Sequence, residues 1–191
     1  MDKQKIEPII KAINELLEAN DNSTILVAIE GRCASGKTTL GKYLYDNYPC
    51  SLFHMDDFFL QPNQRTRERL EEIGGNVDYE RFKREIIEPL LQKESVYYQP
   101  YSCRENVLLE KRKISFQKLN IIEGAYSTHP YFNHPYQCKI FLDIEEETQR
   151  KNILKRNGIE ELKQFEEKWI PKENIYFEKL EINDYIYLTL I

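Results

Sequence analysis

Apolar residues recur along this chain in two rhythms, a helical period and short solid runs, and the two alternate. Ile6, Ile9, Ile10, Ile13, Leu16 and Leu17 share one face of a 3.6-residue period, which predicts an amphipathic opening helix. Pro8 is tolerated in its first turn, and Asn20-Asp21-Asn22-Ser23 ends it. Residues 24–29 are apolar and β-branched and read as a buried strand. Leu40 and Leu44 then return to helical spacing. Residues 51–55 predict a second strand that stops at Asp56-Asp57. A charged helix over 64–72 is broken by Gly74-Gly75-Asn76. Asp78 is placed to cap a helix carrying Phe82, Ile86, Ile87, Leu90 and Leu91.

Residues 95–101 and 113–116 predict a β excursion around a polar loop. Strands follow at 120–122, which ends at Glu123-Gly124, at 139–143 and at 185–190. Helices are expected at 145–156, 159–168 and 175–181, with Trp169-Ile170-Pro171 as a packed helix end. Strands separated by helices imply a three-layer α/β/α fold around a five-stranded parallel sheet. A small β-containing insertion spans about 61–116, and a lid spans about 145–158, within one domain over 1–191. Ligands of such sheets sit beyond the carboxyl ends of the strands. The segment after strand one, Asp56 and Glu123 should therefore meet on one edge.

The segment after strand one carries the most specific chemistry. Gly31-Arg32-Cys33-Ala34-Ser35-Gly36-Lys37-Thr38 fits Gly-x-x-x-x-Gly-Lys-Ser/Thr between a strand and a helix. The glycines let successive N–H groups turn inward on a phosphate, Lys37 brings a cation to the outer phosphates, and the Thr38 hydroxyl is placed to ligate Mg²⁺. The helix N-terminus that follows favours an anion. Asp56 or Asp57 can serve as base for an acceptor hydroxyl, or either can simply close a turn. Glu123 can hold Mg²⁺ directly or through water, or cap a neighbouring helix. Arg150 and Arg156 can neutralise a transferring phosphoryl group, or form ion pairs with Glu145, Glu146 or Glu147 on a solvated face.

Composition narrows the partners. The 191 residues carry a formal net charge of −5, so no basic field points to nucleic acid. No apolar run approaches a membrane span, and the charged beginning does not read as a signal peptide. Cys33, Cys50, Cys103 and Cys138 form no metal-type pair and are expected as reduced thiols in a cytoplasmic protein. His129 and His134 have no metal-ligand spacing and are expected at the surface.

From about residue 24 onward the chain resembles the uridine kinase and phosphoribulokinase branch of P-loop kinases, most of all the small bacterial uridine or nucleoside kinase-like proteins. The resemblance rests on the phosphate loop from Gly31 to Thr39, His54-Met55-Asp56-Asp57-Phe58-Phe59, Gly75-Asn76-Val77-Asp78 with Phe82, Gln99-Pro100-Tyr101, and Glu123-Gly124. It implies ATP and Mg²⁺ as cofactors and Asp56 as catalytic base alongside Lys37. It implies phosphate contacts from Gly31, Ala34, Ser35, Gly36, Lys37, Thr38, Thr39 and Arg156, and metal contacts from Thr38 and Glu123. Asp78 would bind ribose hydroxyls, and Tyr101, Phe59 and Arg150 would complete the acceptor site. The chain departs from the pattern at Ser102 after Tyr101, has no His between Tyr101 and His129, and has no arginine beyond Arg156. Lys155, Arg65, Arg67 or Arg69 would then share the role of the lid arginines.

The expected activity is phosphoryl transfer from ATP to a nucleoside hydroxyl, with uridine or cytidine first. Pantothenate, a sugar phosphate or another small alcohol is the alternative acceptor. A P-loop nucleotide-binding regulator without transfer is the alternative from another class.

Overall fold

The computed structural model describes residues 3–19, 22–180 and 184–189. Helix α1 (Lys3–Ala19) leads into β1 (Ile25–Gly31), α2 (Lys37–Asn47) and β2 (Cys50–His54). The insertion contains α3 (Arg67–Glu71), a continuous helix made of α4 (Tyr79–Phe82), a π turn (Lys83–Ile87) and α5 (Glu88–Leu91), then the short strands β3 (Val96–Tyr98), β4 (Tyr101–Ser102), β5 (Val107–Leu108) and β6 (Arg112–Ile114). The chain returns through β7 (Leu119–Glu123), β8 (Cys138–Asp143), α6 (Glu146–Asn157), α7 (Ile159–Gln164), a second π turn (Phe165–Trp169), α8 (Ile170–Glu178) and β9 (Ile186–Thr189).

The main sheet has the order β2-β7-β1-β8-β9. Every pairing in it is parallel. Parallel pairing puts Gly31, His54 and Glu123 at the same edge, with Ile29 opposite Glu123 and His54 opposite Glu123 in register. The two faces of β1 divide the core. Ile25, Val27 and Ile29 pack with Ile6, Ile9, Ile13, Leu40 and Leu44 under α1 and α2. Leu26 packs on the opposite side with Phe53, Phe58, Phe82 and Tyr176. Full burial of an Ile or Leu side chain stabilises by about 2 kcal/mol, so the α1 stripe anchors that helix despite its polar outer face.

The insertion is tied together by antiparallel pairs, β3 with β6 and β4 with β5, as the expected β excursion requires. Two helices continue through prolines by the same device. An i→i−5 hydrogen bond runs from Glu88 N to Lys83 O ahead of Pro89, and from Ile170 N to Phe165 O ahead of Pro171. Each π turn shifts the hydrogen-bond ladder where proline has no N–H to give. The expected break around Trp169-Ile170-Pro171 is therefore not a helix end. The helices expected at 159–168 and 175–181 are one helix through Glu178. Asn20, Asp21, Glu181 and Leu190, each part of an expected element or its stop, lie outside the described residues, as do Met1 and Asp2.

His134 is exposed as expected, whereas His129 is half-buried. It stacks on Tyr79 at 4.4 Å between ring centroids, and its Nε2 meets Ile73 O at 3.2 Å. All four cysteines are free thiols. Among the described residues no helix is long and apolar enough to cross a membrane.

Candidate active site

At the carboxyl edge of the sheet lies a cavity of about 1200 Å³. Its walls come from the loop after β1, the turn after β2, the segment after β7, the insertion, α6 and the α7–α8 helix.

The loop after β1 turns because its backbone must. Gly31 sits at φ 139°, and a Cβ there would lie 2.1 Å from Leu142 O on the neighbouring strand. Ala34 takes φ 60°, and Gly36 takes φ 99° at the N-cap of α2. No side chain caps α2, so its first N–H groups face the loop unpaired by a capping oxygen. Ser35 Oγ is buried without a hydrogen-bond partner. Lys37 is nearly buried and folds its ammonium onto Gly31 O at 2.6 Å and Arg32 O at 2.7 Å. Helix N–H groups without a side-chain cap and a cation beside the hollow lined by Gly36, Lys37 and Thr38 form the donor set a polyphosphate needs.

Thr38 Oγ1 donates to Glu123, 3.2 and 3.3 Å from its two carboxylate oxygens. Glu123 is buried, and His54 Nδ1 lies 2.5 Å from its Oε1 because the two residues face each other in register. That hydrogen bond raises the His54 pKa, against the lowering effect of burial. A hydroxyl and a carboxylate side by side at the phosphate loop are hard oxygen donors that fit Mg²⁺, which takes one or two protein oxygens and keeps its waters.

The turn Met55–Phe58 separates the two acids that follow β2. Asp57 is taken up by the insertion. Its Oδ2 accepts from Tyr98 Oη at 3.1 Å and Arg112 at 3.3 Å. Asp56 instead lines the cavity with Lys37, Glu123 and Arg156. Solvent reaches it there, yet the surrounding protein pushes its carboxyl pKa upward by burial, with the Glu123 charge adding to the rise. Lys37, His54 and Arg156 pull it back down.

The other expected site residues divide. Ala34, Gly36, Thr38, Thr39, Phe59 and Arg156 line the cavity, while Gly31 and Ser35 are buried within the loop and do not line it. Arg150 points away, with Nε 2.7 Å from Glu166 on α7–α8 rather than from any of the three glutamates expected. Tyr101 is buried behind the wall, its hydroxyl accepting from Arg65 at 3.1 Å and donating to Asn106 at 3.1 Å. Asp78 is also turned inward. Its Oδ1 caps α4 through Arg81 N at 3.0 Å, and its Oδ2 accepts from Gln64 at 2.7 Å. Its neighbour Asn76, not Asp78, lines the cavity.

Several site residues carried no role in the sequence reading. Glu30 is fully buried at the end of β1. It accepts from Gly31 N at 2.9 Å, Tyr126 N at 3.1 Å, Thr128 N and Oγ1 at 3.1 Å and Tyr176 Oη at 3.1 Å. A carboxylate at the end of a solid apolar run was its only sequence signal. Glu173 accepts from Cys33 N at 2.9 Å, and burial raises its pKa. Gln149 and Asn152 donate to Cys33 O at 3.0 Å and Ala34 O at 3.2 Å. The phosphate loop is thus braced from α6 and α8. Phe165, Trp169 and Glu173 line the cavity at four-residue spacing on the α7–α8 helix.

No family model and no curated protein sequence matches the chain. Solved structures do match it in fold. One from Bacillus stearothermophilus, described provisionally as a uridine kinase, shares 17% identity at TM-score 0.67, covering 95% of this chain and 99% of that one. One from Silicibacter sp. TM1040, described provisionally as a fructose transport system kinase, shares 17% identity at TM-score 0.71, covering 96% of each. The fold of the chain is that of the uridine kinase-like P-loop kinases, with the five-stranded parallel sheet expected from the sequence.

Proposed function

We propose that this protein is an ATP- and Mg²⁺-dependent kinase that phosphorylates a hydroxyl of a small molecule. The observation that carries the reading is the placement of Asp56. It alone of the two acids after β2 faces the cavity, in company with Lys37, Glu123 and Arg156. A bare nucleotide switch has no use for a carboxylate held free of partners opposite the phosphate loop, whereas an acceptor hydroxyl needs one.

Each residue has a distinct part. The loop from Gly31 to Thr39 would hold the polyphosphate through N–H groups at the α2 N-terminus. Lys37 would exchange its two carbonyl partners for phosphate oxygens. Thr38 and Glu123 would hold the metal, and His54 would fix the Glu123 carboxylate. Bound Mg-ATP would supply the γ-phosphoryl group, whose phosphorus bonds the acceptor oxygen as its bond to ADP breaks. Asp56 takes the acceptor's proton and orients the hydroxyl. Arg156, and Lys155 and Lys168 beside it on the cavity wall, face the place where charge develops in transfer.

The ribonucleoside acceptor expected from the resemblance rests on Asp78 and Tyr101, and both are committed to partners inside the insertion. The acceptor is read instead by Phe59, Leu60, Arg65, Leu70, Asn76 and Cys103, which do face the cavity. The test is ADP release by purified protein with Mg-ATP across nucleosides, sugar phosphates and hydroxy acids. Release that rises with one acceptor, together with the matching phosphorylated product, supports a kinase. Acceptor-independent release only, across the whole panel, contradicts it.

A further inference from the structure

The acceptor end of the cavity holds a cation that no acid among the described residues pairs with. Three arginines lie between positions 65 and 69. Arg67 pairs with Glu71 at 2.8 Å, and Arg69 is held by Glu80 at 2.6 Å and Glu72 at 3.5 Å, with Tyr79 beneath it. Arg65 pairs with no carboxylate among the described residues, yet its head group is fixed. Nε donates to Leu60 O at 3.0 Å and Nη2 to Tyr101 Oη at 3.1 Å, with the guanidinium carbon 5.8 Å from the Tyr101 ring centroid. Buried Tyr101 is anchored in turn to Asn106. The partners are neutral, and the remaining N–H groups of the fork have none among the described residues.

Arg65 lines the cavity along with Asp56, Phe59, Leu60 and Cys103. It bears on the same end as Asp56. Burial raises the Cys103 thiol pKa, Arg65 lowers it and Asp56 raises it further, so both charges act on one thiol at this wall. A planar guanidinium held in place without a counter-ion is a receptor for a carboxylate or a phosphate, whose paired oxygens match its parallel donors. Arg65 is exposed to solvent, and a neutral ribose or base would offer its free donors no charged oxygens in place of water, while Asp78 is not available to read a diol.

We propose that Arg65 binds an anionic group on the phosphoryl acceptor, and that the acceptor is a small hydroxy acid or phosphorylated alcohol, not a neutral nucleoside. This rests on the kinase reading above. The hydroxyl lies at Asp56, the anion at Arg65, and an uncharged middle against Phe59 and Leu60. The transfer is unchanged: the acceptor oxygen bonds phosphorus, the bond to ADP breaks, and the proton goes to Asp56. Arg65 selects which hydroxyl arrives.

The chain's single tryptophan, Trp169, lines the same cavity and reports its occupancy. With Mg-ADP present, glycerol, glycerate and glycerol 3-phosphate are titrated against its fluorescence. At least one of the two anions should bind more tightly than glycerol, and which of them does so distinguishes a carboxylate from a phosphate site. Arg65→Gln should raise the Kd of that anion about ten- to a hundredfold, as loss of a charged hydrogen-bond pair does, and leave glycerol unchanged. Arg65→Lys, which keeps the charge and loses the fork, should fall between. Melting curves establish that each variant folds. Equal Kd values for the anion in wild type and Arg65→Gln, or no response of the wild type to either anion, overturn the inference. Neither outcome touches the kinase reading, whose failure is the absence of acceptor-dependent ADP release.

Discussion

Glu30→Ala is the perturbation whose cost follows most directly from the structure. The Glu30 carboxylate satisfies three backbone N–H groups, those of Gly31, Tyr126 and Thr128, and two hydroxyls, all buried. Alanine leaves the three N–H groups without an acceptor. Each buried orphan costs about 1–3 kcal/mol, so the loss should be about 3–6 kcal/mol once some water enters the space. The hydroxyls of Thr128 and Tyr176 lie 3.2 Å apart and can turn to each other, so they add little. Glu30→Gln should cost less. Its oxygen keeps Gly31 and Tyr126, its amide can donate to the two hydroxyls, and only Thr128 N–H is opposed, for about 1–3 kcal/mol. Relief of a buried charge subtracts from that figure, since burial already raises the Glu30 pKa. Urea unfolding of the three proteins measures both values. Because ordinary domains hold only about 5–15 kcal/mol, the alanine variant should be visibly crippled. An alanine variant within 1 kcal/mol of wild type, or one more stable than the glutamine variant, would refute this account of the strut between β1, the post-β7 loop and α8.

Three further outcomes follow from the site. Lys37→Ala should keep the wild-type melting temperature within a few degrees and lose about a hundredfold or more in kcat, since a fixed cation opposite the developing charge is gone; unchanged kcat with any acceptor would exclude the loop from catalysis. Glu123→Gln should shift the Mg²⁺ concentration for half-maximal turnover upward more than it changes acceptor KM, and an unmoved Mg²⁺ titration would make Glu123 only a partner of His54 and Thr38. Asp78→Ala should cost about 2–4 kcal/mol, from a lost helix cap and a buried Arg81 left with only one of its two carboxylates, Glu85, with acceptor KM unchanged; a raised KM in a fully folded protein would restore Asp78 to the acceptor site.

Contiguous chemistry was readable from the sequence, and side-chain direction was not. The phosphate loop is local, so its residues announce themselves. Asp56 and Glu123 converge because parallel strands must end on one edge, which the alternation of strands and helices already implied. Asp57 and Asp56 differ only in what captures them, and the captors Tyr98 and Arg112 lie in the insertion more than forty positions away. Asp78, Tyr101 and Arg150 were assigned to the acceptor by resemblance, yet Gln64, Arg65 and Glu166 claim them first. The face of the α7–α8 helix was hidden for another reason. A π turn adds one residue to the winding and rotates everything after it by about 100°, so Trp169 and Glu173 cannot be phased from Ile159 by counting. Glu30 escaped because the strand reading stopped one residue short of it.

Acceptor-dependent phosphoryl transfer by Asp56→Asn, set beside its ATP binding, tests the central claim most directly. An amide of the same shape cannot take the acceptor's proton, so transfer should fall by about a hundredfold or more while the Kd for Mg-ATP stays within a few-fold of wild type. The wild-type pH profile belongs to the same measurement. Asp56 must be ionised to act, and burial with the Glu123 charge raises its pKa, so kcat should fall as pH drops through a value above the ordinary aspartate range. That acid limb should be absent from whatever activity Asp56→Asn retains. A variant that transfers phosphate at the wild-type rate, with the same acid limb, would contradict the assignment of Asp56 as the base and with it the reading of this cavity as a kinase site.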